Sequence, residues 1–208
     1  MLHQQELDQL SDDLSNSLVN LYEFKVLFEN NKEQLDLLNN TAPFFFLKLY
    51  DFYWNELIMS ISRLTDRSVQ RKHKNLSIYI LEDFSTDLPP DKRYKLRTNL
   101  EGITKEVQLV RQYRHKFISH RDIDAIKVLP ENRETLYVQK VEEIFSLIED
   151  SINIFYRLNE NTYVDHKPAL VVYGAQTLLY YLQLGKTIDA VGEKVAMQKE
   201  KLNKNIIT

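Results

Sequence analysis

Apolar residues recur along most of this chain at alternating spacings of four and three residues, the period of one buried helical stripe. The longest stripe steps through Leu96, Leu100, Ile103, Val107 and Val110. A second one comprises Val138, Val141, Ile144, Ile148, Ile152 and Phe155. Only four glycines and five prolines interrupt the 208 residues, too few to punctuate a many-stranded fold. The pattern therefore predicts an all-α, up-and-down multi-helix bundle.

Turn residues divide the first half of the chain. We expect a first helix from Gln4 to about Asn30, with a continuation through Leu35 and Leu38 left open. Pro43, tolerated in a first turn, opens a second helix that runs to about residue 66. That helix is rich in aromatic side chains, which favours a central core helix over a surface that stacks bases. These aromatics are Phe44, Phe45, Phe46, Tyr50, Phe52, Tyr53 and Trp54.

Further helices are predicted from the same signals. Asn75 is expected to cap a short helix that ends at Phe84, and the long helix after it closes in the stretch 111–122. Another long helix is expected over about 135–159. Pro168 is expected to start an apolar helix that Gly185 ends or kinks, and a charged amphipathic helix should follow to about residue 204.

Length and composition limit the class of protein. A chain of 208 residues suits a single domain, here 1–208 with a C-terminal helical extension over 165–208. The absence of cysteine excludes disulfides and thiolate metal sites. The first twenty residues are polar and acidic, unlike a signal peptide, and no apolar run approaches the ~20 residues of a membrane span. We expect a cytoplasmic protein that does not contact the membrane.

Positive charge is concentrated in two segments, although the net charge is −3. Residues 63–74 carry five basic side chains against one acid, and residues 111–121 carry four basic side chains and no acid. Such local basic fields attract a phosphate backbone. Solvated helix faces are the alternative explanation for each segment.

Arg114 stands where the long stripe calls for a hydrophobic residue, one step after Val110 and one step before Phe117. Burying a guanidinium without a partner is costly, so this position must be hydrated, paired or functional. His120 follows six residues later, about 120° around a continued α-helix, so both side chains could converge on one anion. A capping histidine and an arginine paired to a neighbouring helix would explain the same residues.

An arginine and a histidine around one anion suit chemistry on a phosphodiester. Imidazole titrates near neutrality and moves protons, while guanidinium holds phosphate and stabilises developing charge. RNA supplies its own nucleophile, the ribose 2′-hydroxyl. A zinc site is disfavoured because His115 and His120 lie about 140° apart on an α-helix and no cysteine assists.

The segment from Arg114 to His120 matches the R-x(4–6)-H pattern of the HEPN superfamily. The segment Ser62-Arg63-Leu64-Thr65-Asp66, the helix start at Asn75-Leu76-Ser77 and the ending His120-Arg121-Asp122 occur in the order found in the abortive-infection branch. The chain thus resembles an abortive-infection type HEPN protein over about residues 40–160.

This resemblance implies a dimerising all-α bundle and a metal-independent endoribonuclease of single-stranded RNA that needs no cofactor. Such proteins act in phage defence or toxin–antitoxin systems, with a cognate antitoxin or a nucleotidyltransferase as partner. Arg114 would hold the scissile phosphate and His120 would serve as general base or acid. His115, where the family often has Asn or Asp, would add a polar group. Asp66 would orient Arg114 or His120, or would instead serve a helix end or pair with Arg63. Arg63, Arg111 and Arg121 are expected to bind flanking phosphates, or to be solvated surface residues.

Two other functions fit the same residues. One is a catalytically silent HEPN bundle that binds RNA or a partner protein, because intact motif residues do not guarantee turnover. The other is a structural helical adaptor that meets its partner through the tail 186–204.

Overall fold

Helices make up most of the computed structural model, which describes residues 4–29, 31–70, 73–119, 136–159, 163–166 and 173–206. The α-helices of these residues are α1 (Gln4–Phe28), α2 (Lys32–Thr41), α3 (Pro43–Leu64), α4 (Pro90–Tyr113), α5 (Val138–Asn159) and α6 (Ala175–Ile206). Two short antiparallel strands, β1 (Val69–Gln70) and β2 (His73–Lys74), and a 3₁₀ helix (Ile78–Asp87) lie between α3 and α4. A π-helical segment (Arg114–Ser119) follows α4 directly. The predicted all-α helical bundle is confirmed.

The chain divides into two compact units. The first unit contains residues 1–21 and 51–169, and the second contains residues 22–50 and 170–208. The single domain with a C-terminal extension stays a prediction. Within the described ranges, every helix is too short or too polar to cross a lipid bilayer.

The core of the first unit is the packing of α4 against α5. Both apolar stripes expected from the sequence are buried, and the α4 stripe from Leu96 to Val110 is at most 3 % exposed. Gly102 allows α4 to approach Leu147 of α5 closely. At the edge of this seam, Lys140 of α5 donates a hydrogen bond of 2.8 Å to Glu106 of α4. The spacing of apolar residues along the sequence therefore predicted the central helix pair correctly.

The segment between α3 and α4 packs on this helix pair. Ile78 and Leu81 of the 3₁₀ helix are buried, and the Tyr79 hydroxyl lies 2.9 Å from the Thr104 hydroxyl of α4. The prediction that Asn75 caps this helix is wrong. Ser77 occupies the N-cap position, whereas the Asn75 side chain donates to the carbonyl of Arg67 at 3.0 Å and so closes the β1–β2 ribbon.

Two helix boundaries in the second unit differ from prediction. The first helix does not continue through Leu35 and Leu38, because the Asn31 side chain accepts the Gln34 N–H at 2.9 Å and caps a new helix, α2. Helix α6 runs through Gly185 to Ile206, so of the two outcomes predicted at Gly185, an end or a kink, the end is wrong. One glycine costs a helix about 1 kcal/mol and need not end it. Pro168 lies outside the described residues.

The aromatic helix α3 is only partly a core helix. Phe46 and Trp54 are buried, as expected, but Phe44, Phe45 and Phe52 are 74 %, 58 % and 64 % exposed. The prediction of a central core helix therefore holds for only some of its aromatic side chains. The sequence showed apolar residues on several faces of the helix, but only the fold determines which faces the chain covers.

Gly102→Ala is expected to stabilise the first unit. An added Cβ would lie 3.5 Å from Cδ1 of Leu147, an ordinary van der Waals distance, and alanine removes the conformational cost of glycine in a helix. We expect the free energy of unfolding in urea to rise by about 0.5–1 kcal/mol. Gly102→Leu is the matched control, and its larger side chain must displace Leu147 and lower stability. A loss of stability in Gly102→Ala would contradict this packing.

Glu106→Gln is expected to lower stability in a pH-dependent way. The hydrogen bond from Lys140 holds the pKa of Glu106 below its ordinary value of 4.5. The stabilising effect is therefore present above pH 4.5 and is lost as the pH falls through the lowered pKa. We expect a loss of less than about 1 kcal/mol at neutral pH that vanishes in acid, measured by urea unfolding across pH.

Glu101→Gln provides the control for that experiment. It removes the same charge from α4, but Glu101 and its partner Arg97 are both largely exposed, so solvent screens their pair. A loss in Glu106→Gln that matched this control at every pH would show that the contact with Lys140 contributes nothing.

Candidate functional site

The candidate site begins where the buried stripe of α4 ends. After Val110, the next stripe position is Arg114, the first residue of the π-helical segment. Single π-helical turns widen the backbone at the end of α-helices and occur frequently at functional sites. The angle of about 120° between Arg114 and His120 was expected for a continued α-helix. It stays a prediction, because His120 lies outside the described residues.

Arg114 is partly buried and only loosely paired. Its side chain is 34 % exposed, and its Nη1 atom lies 3.8 Å from Oδ1 of Asp66, which is 37 % exposed. This separation exceeds the 2.7–2.9 Å of a charge-assisted hydrogen bond. The Nε atom is buried and finds no hydrogen-bond acceptor among the described residues. The guanidinium therefore retains capacity to bind an anion.

Arg111 has a structural contact one turn before Arg114. Its Nη2 atom donates a hydrogen bond of 2.6 Å to the carbonyl of Thr65, the residue directly after α3. Thr65 is fully buried. The bond ties the end of α4 to the end of α3 and thereby brings Asp66 next to Arg114. Phosphate binding by Arg111 stays a prediction, but solvation alone does not describe this side chain.

Arg63 contacts its own helix. Its Nη2 atom lies 2.5 Å from Oε1 of Glu56 and 2.9 Å from the Ser60 hydroxyl, both on α3. Glu56 therefore offsets much of the Arg63 charge, and Asp66 pairs with Arg114 rather than with Arg63. An RNA-binding role for Arg63 stays a prediction.

Three further site residues were predicted from the sequence, and the structure describes one of them. His115 is exposed directly after Arg114. His120 and Arg121 lie outside the described residues, so their proposed roles stay predictions. Among the described residues, no group of three or more histidine, aspartate or glutamate side chains could hold a metal ion.

An aromatic cluster beside Arg114 was missed by the sequence analysis. The Tyr113 ring packs on Phe117 at 4.9 Å between ring centres and meets Trp54 of α3 edge-on at 6.3 Å. Tyr113 and Phe117 are four residues apart, so their helical spacing could have revealed the pair. These rings flank the π-helical segment and give it an apolar support on one side.

A second polar cluster of the first unit involves His166. Its Nε2 atom lies 2.7 Å from the Ser11 hydroxyl and its Nδ1 atom lies 3.3 Å from Oε1 of Glu149. The order serine, histidine, carboxylate is that of a hydrolase triad. Ser11, however, is buried within α1, where substrate has no access and helical N–H groups are already bonded. We interpret this cluster as a buried brace between α1, α5 and the segment 163–166.

Comparison with known proteins gives one family match that covers most of the chain. The family model HEPN_AbiU2, described as AbiU2, matches residues 4–170. The match extends from the start of α1 beyond α5, contains Arg114 through His120 and ends before α6 begins. No curated protein and no solved structure gave a significant match. The chain therefore belongs to the AbiU2 family of HEPN-type abortive-infection proteins.

Proposed function

We propose that this protein is a metal-independent endoribonuclease that cuts single-stranded RNA in phage defence or in a toxin–antitoxin system. The observation that carries the proposal is the burial and the incomplete pairing of the Arg114 side chain. It stands at the end of a buried helical seam, its Nε atom finds no acceptor in the part of the chain that the structure describes, and Asp66 lies beyond hydrogen-bond distance. A cation held in this way suits a phosphate that arrives from solution.

In the proposed reaction the RNA provides the nucleophile. His120, acting as base, takes the proton of a ribose 2′-hydroxyl, whose oxygen attacks the adjacent phosphorus. The bond from phosphorus to the 5′-oxygen breaks, and an acid returns a proton to that oxygen. The products are a 2′,3′-cyclic phosphate and a 5′-hydroxyl. Arg114 orients the phosphate and stabilises the charge that develops on its free oxygens.

A homodimer would complete such a site. One Arg114–His120 pair supplies one group that transfers protons, whereas the reaction needs both a base and an acid. Two symmetry-related copies supply both and add their positive charge in one groove. Asp66 would hold the Arg114 guanidinium in place, and His115 would add a polar contact to the RNA.

The proposed setting follows from the family and from the target. Abortive-infection systems stop infected cells, so an activity of this kind requires control by a cognate antitoxin or a nucleotidyltransferase. Single-stranded RNA as substrate places the activity in the cytoplasm.

A catalytically silent bundle that binds RNA or a partner protein is the second candidate. The observation that favours it is that Arg63 and Arg111 already contact protein groups and that Asp66 partly offsets Arg114. Cationic side chains that already contact protein groups are less available to hold an RNA substrate. Cleavage assays separate the two candidates.

His120→Ala and Arg114→Ala are each expected to reduce the rate of RNA cleavage by about 10²–10⁴-fold, because one removes proton transfer and the other charge stabilisation. The measurement is single-turnover cleavage of a labelled single-stranded RNA. Lys116→Ala is the control for Arg114→Ala, since it removes an exposed positive charge two residues away and should change the rate little. Equal cleavage by the wild type and His120→Ala would exclude the catalytic assignment.

Asp66→Asn is expected to separate binding from catalysis. The carboxylate competes with phosphate for the Arg114 guanidinium, so its removal should tighten RNA binding severalfold at low salt. The same change releases the guanidinium from its orientation and should lower the cleavage rate. Binding by fluorescence anisotropy and single-turnover cleavage report the two effects. Glu101→Gln removes the same charge at a distant position, on α4, and identical behaviour of the two variants would refute a role for Asp66.

A further inference from the structure

The second half of α6 has no covering element in the described chain. Every side chain from Gln183 to Gln198 is exposed. Helices of this length are only marginally stable in water unless an apolar face packs against another element. An uncovered helix is expected to be polar on all sides, and α6 is not.

Apolar residues of α6 form one continuous seam. Tyr181, Leu184, Ile188, Val191 and Val195 follow spacings of three, four, three and four residues and are 43–63 % exposed. This spacing gives one apolar stripe along the helix, as in helices that pack side by side or wind around each other. Ile188 and Val195 then occupy equivalent positions, one heptad apart. Lys186 and Glu193 lie on the opposite face.

We propose that α6 pairs with α6 of a second copy of this chain in an antiparallel coiled coil. Ile188 of one copy packs beside Val191 of the partner subunit, and Leu184 packs beside Val195 of the partner subunit. The seam of each copy is thereby covered by the same seam of the other, as a two-fold interface requires.

The residues that flank the seam favour an antiparallel over a parallel orientation of the two α6 helices. In the antiparallel register, Gly185 faces Gly192 of the partner subunit and Thr187 faces Lys194 of the partner subunit. An added Cβ at Gly185 or at Gly192 would meet nothing within 4 Å, so both positions leave room for close approach of a second helix. A parallel pair would instead set Lys194 against Lys199 of the partner subunit, and like charges at these positions oppose pairing.

This interface is separate from the ribonuclease proposal. Helix α6 lies beyond residue 170, where the family match ends, and no residue of the Arg114 site belongs to it. Pairing through α6 therefore neither requires nor implies RNA cleavage.

Cysteine cross-linking tests both the pairing and its direction, since the natural chain contains no cysteine. Full-length Leu184→Cys and Val195→Cys proteins are mixed, oxidised at low micromolar concentration and analysed on a non-reducing gel. We expect a disulfide between the two variants in the mixture, at least tenfold above the control. Each variant alone should cross-link poorly, because eleven residues at 1.5 Å per residue place its two copies about 16 Å apart along the axis.

A mixture of Lys186→Cys and Glu193→Cys is the matched control. These positions lie at the same level along the paired helices but on the outer face, so they should not cross-link. Circular dichroism verifies that each variant keeps its helical content. Homodimers formed by each seam variant alone would indicate a parallel pair and overturn the proposal. Cross-linking of the seam variants no greater than that of the control would also overturn it. Neither result depends on RNA cleavage.

Discussion

The seam between α4 and α5 is the constraint on which the described site depends. It buries the stripe from Leu96 to Val110, and that burial fixes the rotation of α4 about its axis. Arg114 is the next residue on that face, so it is held at the edge of the apolar seam and does not extend into bulk water. A guanidinium at such an edge experiences less solvent screening than a surface arginine, which strengthens its attraction for phosphate.

The second constraint is the bond from Arg111 to the Thr65 carbonyl, which joins two helix ends that are 46 residues apart in sequence. Without it, nothing in the local sequence would place Asp66 at the end of α4. The bond also distinguishes two arginines that lie about one helical turn apart. Arg111 is used to assemble the site, and its neighbour one turn later keeps its buried Nε atom without an acceptor among the described residues.

Periodicity predicted those parts of the fold that depend on burial along one face. The stripes of α4 and α5 were read from spacing alone, because a helix that packs on a single neighbour must repeat its apolar residues every three or four positions. The exposure of Phe44 and Phe52 could not be read in the same way, since spacing reports which residues are apolar but not which of them the rest of the chain covers.

Helix ends were predicted less well for a related reason. Asn31 ends one helix only because its side chain reaches a backbone N–H of the next helix, and a glycine such as Gly185 ends a helix only if the chain then turns.

For the candidate site, the sequence identified the unusual position of Arg114 but not the contacts of the residues around it. Arg114 was identifiable because a cation interrupts an apolar stripe, a local signal that needs no tertiary information. The contacts of Arg63 with Glu56 and of Arg111 with Thr65 were not predicted, because spacing shows where cations stand but not which protein groups they contact. An RNA strand would have to compete with those protein groups for the two guanidinium heads.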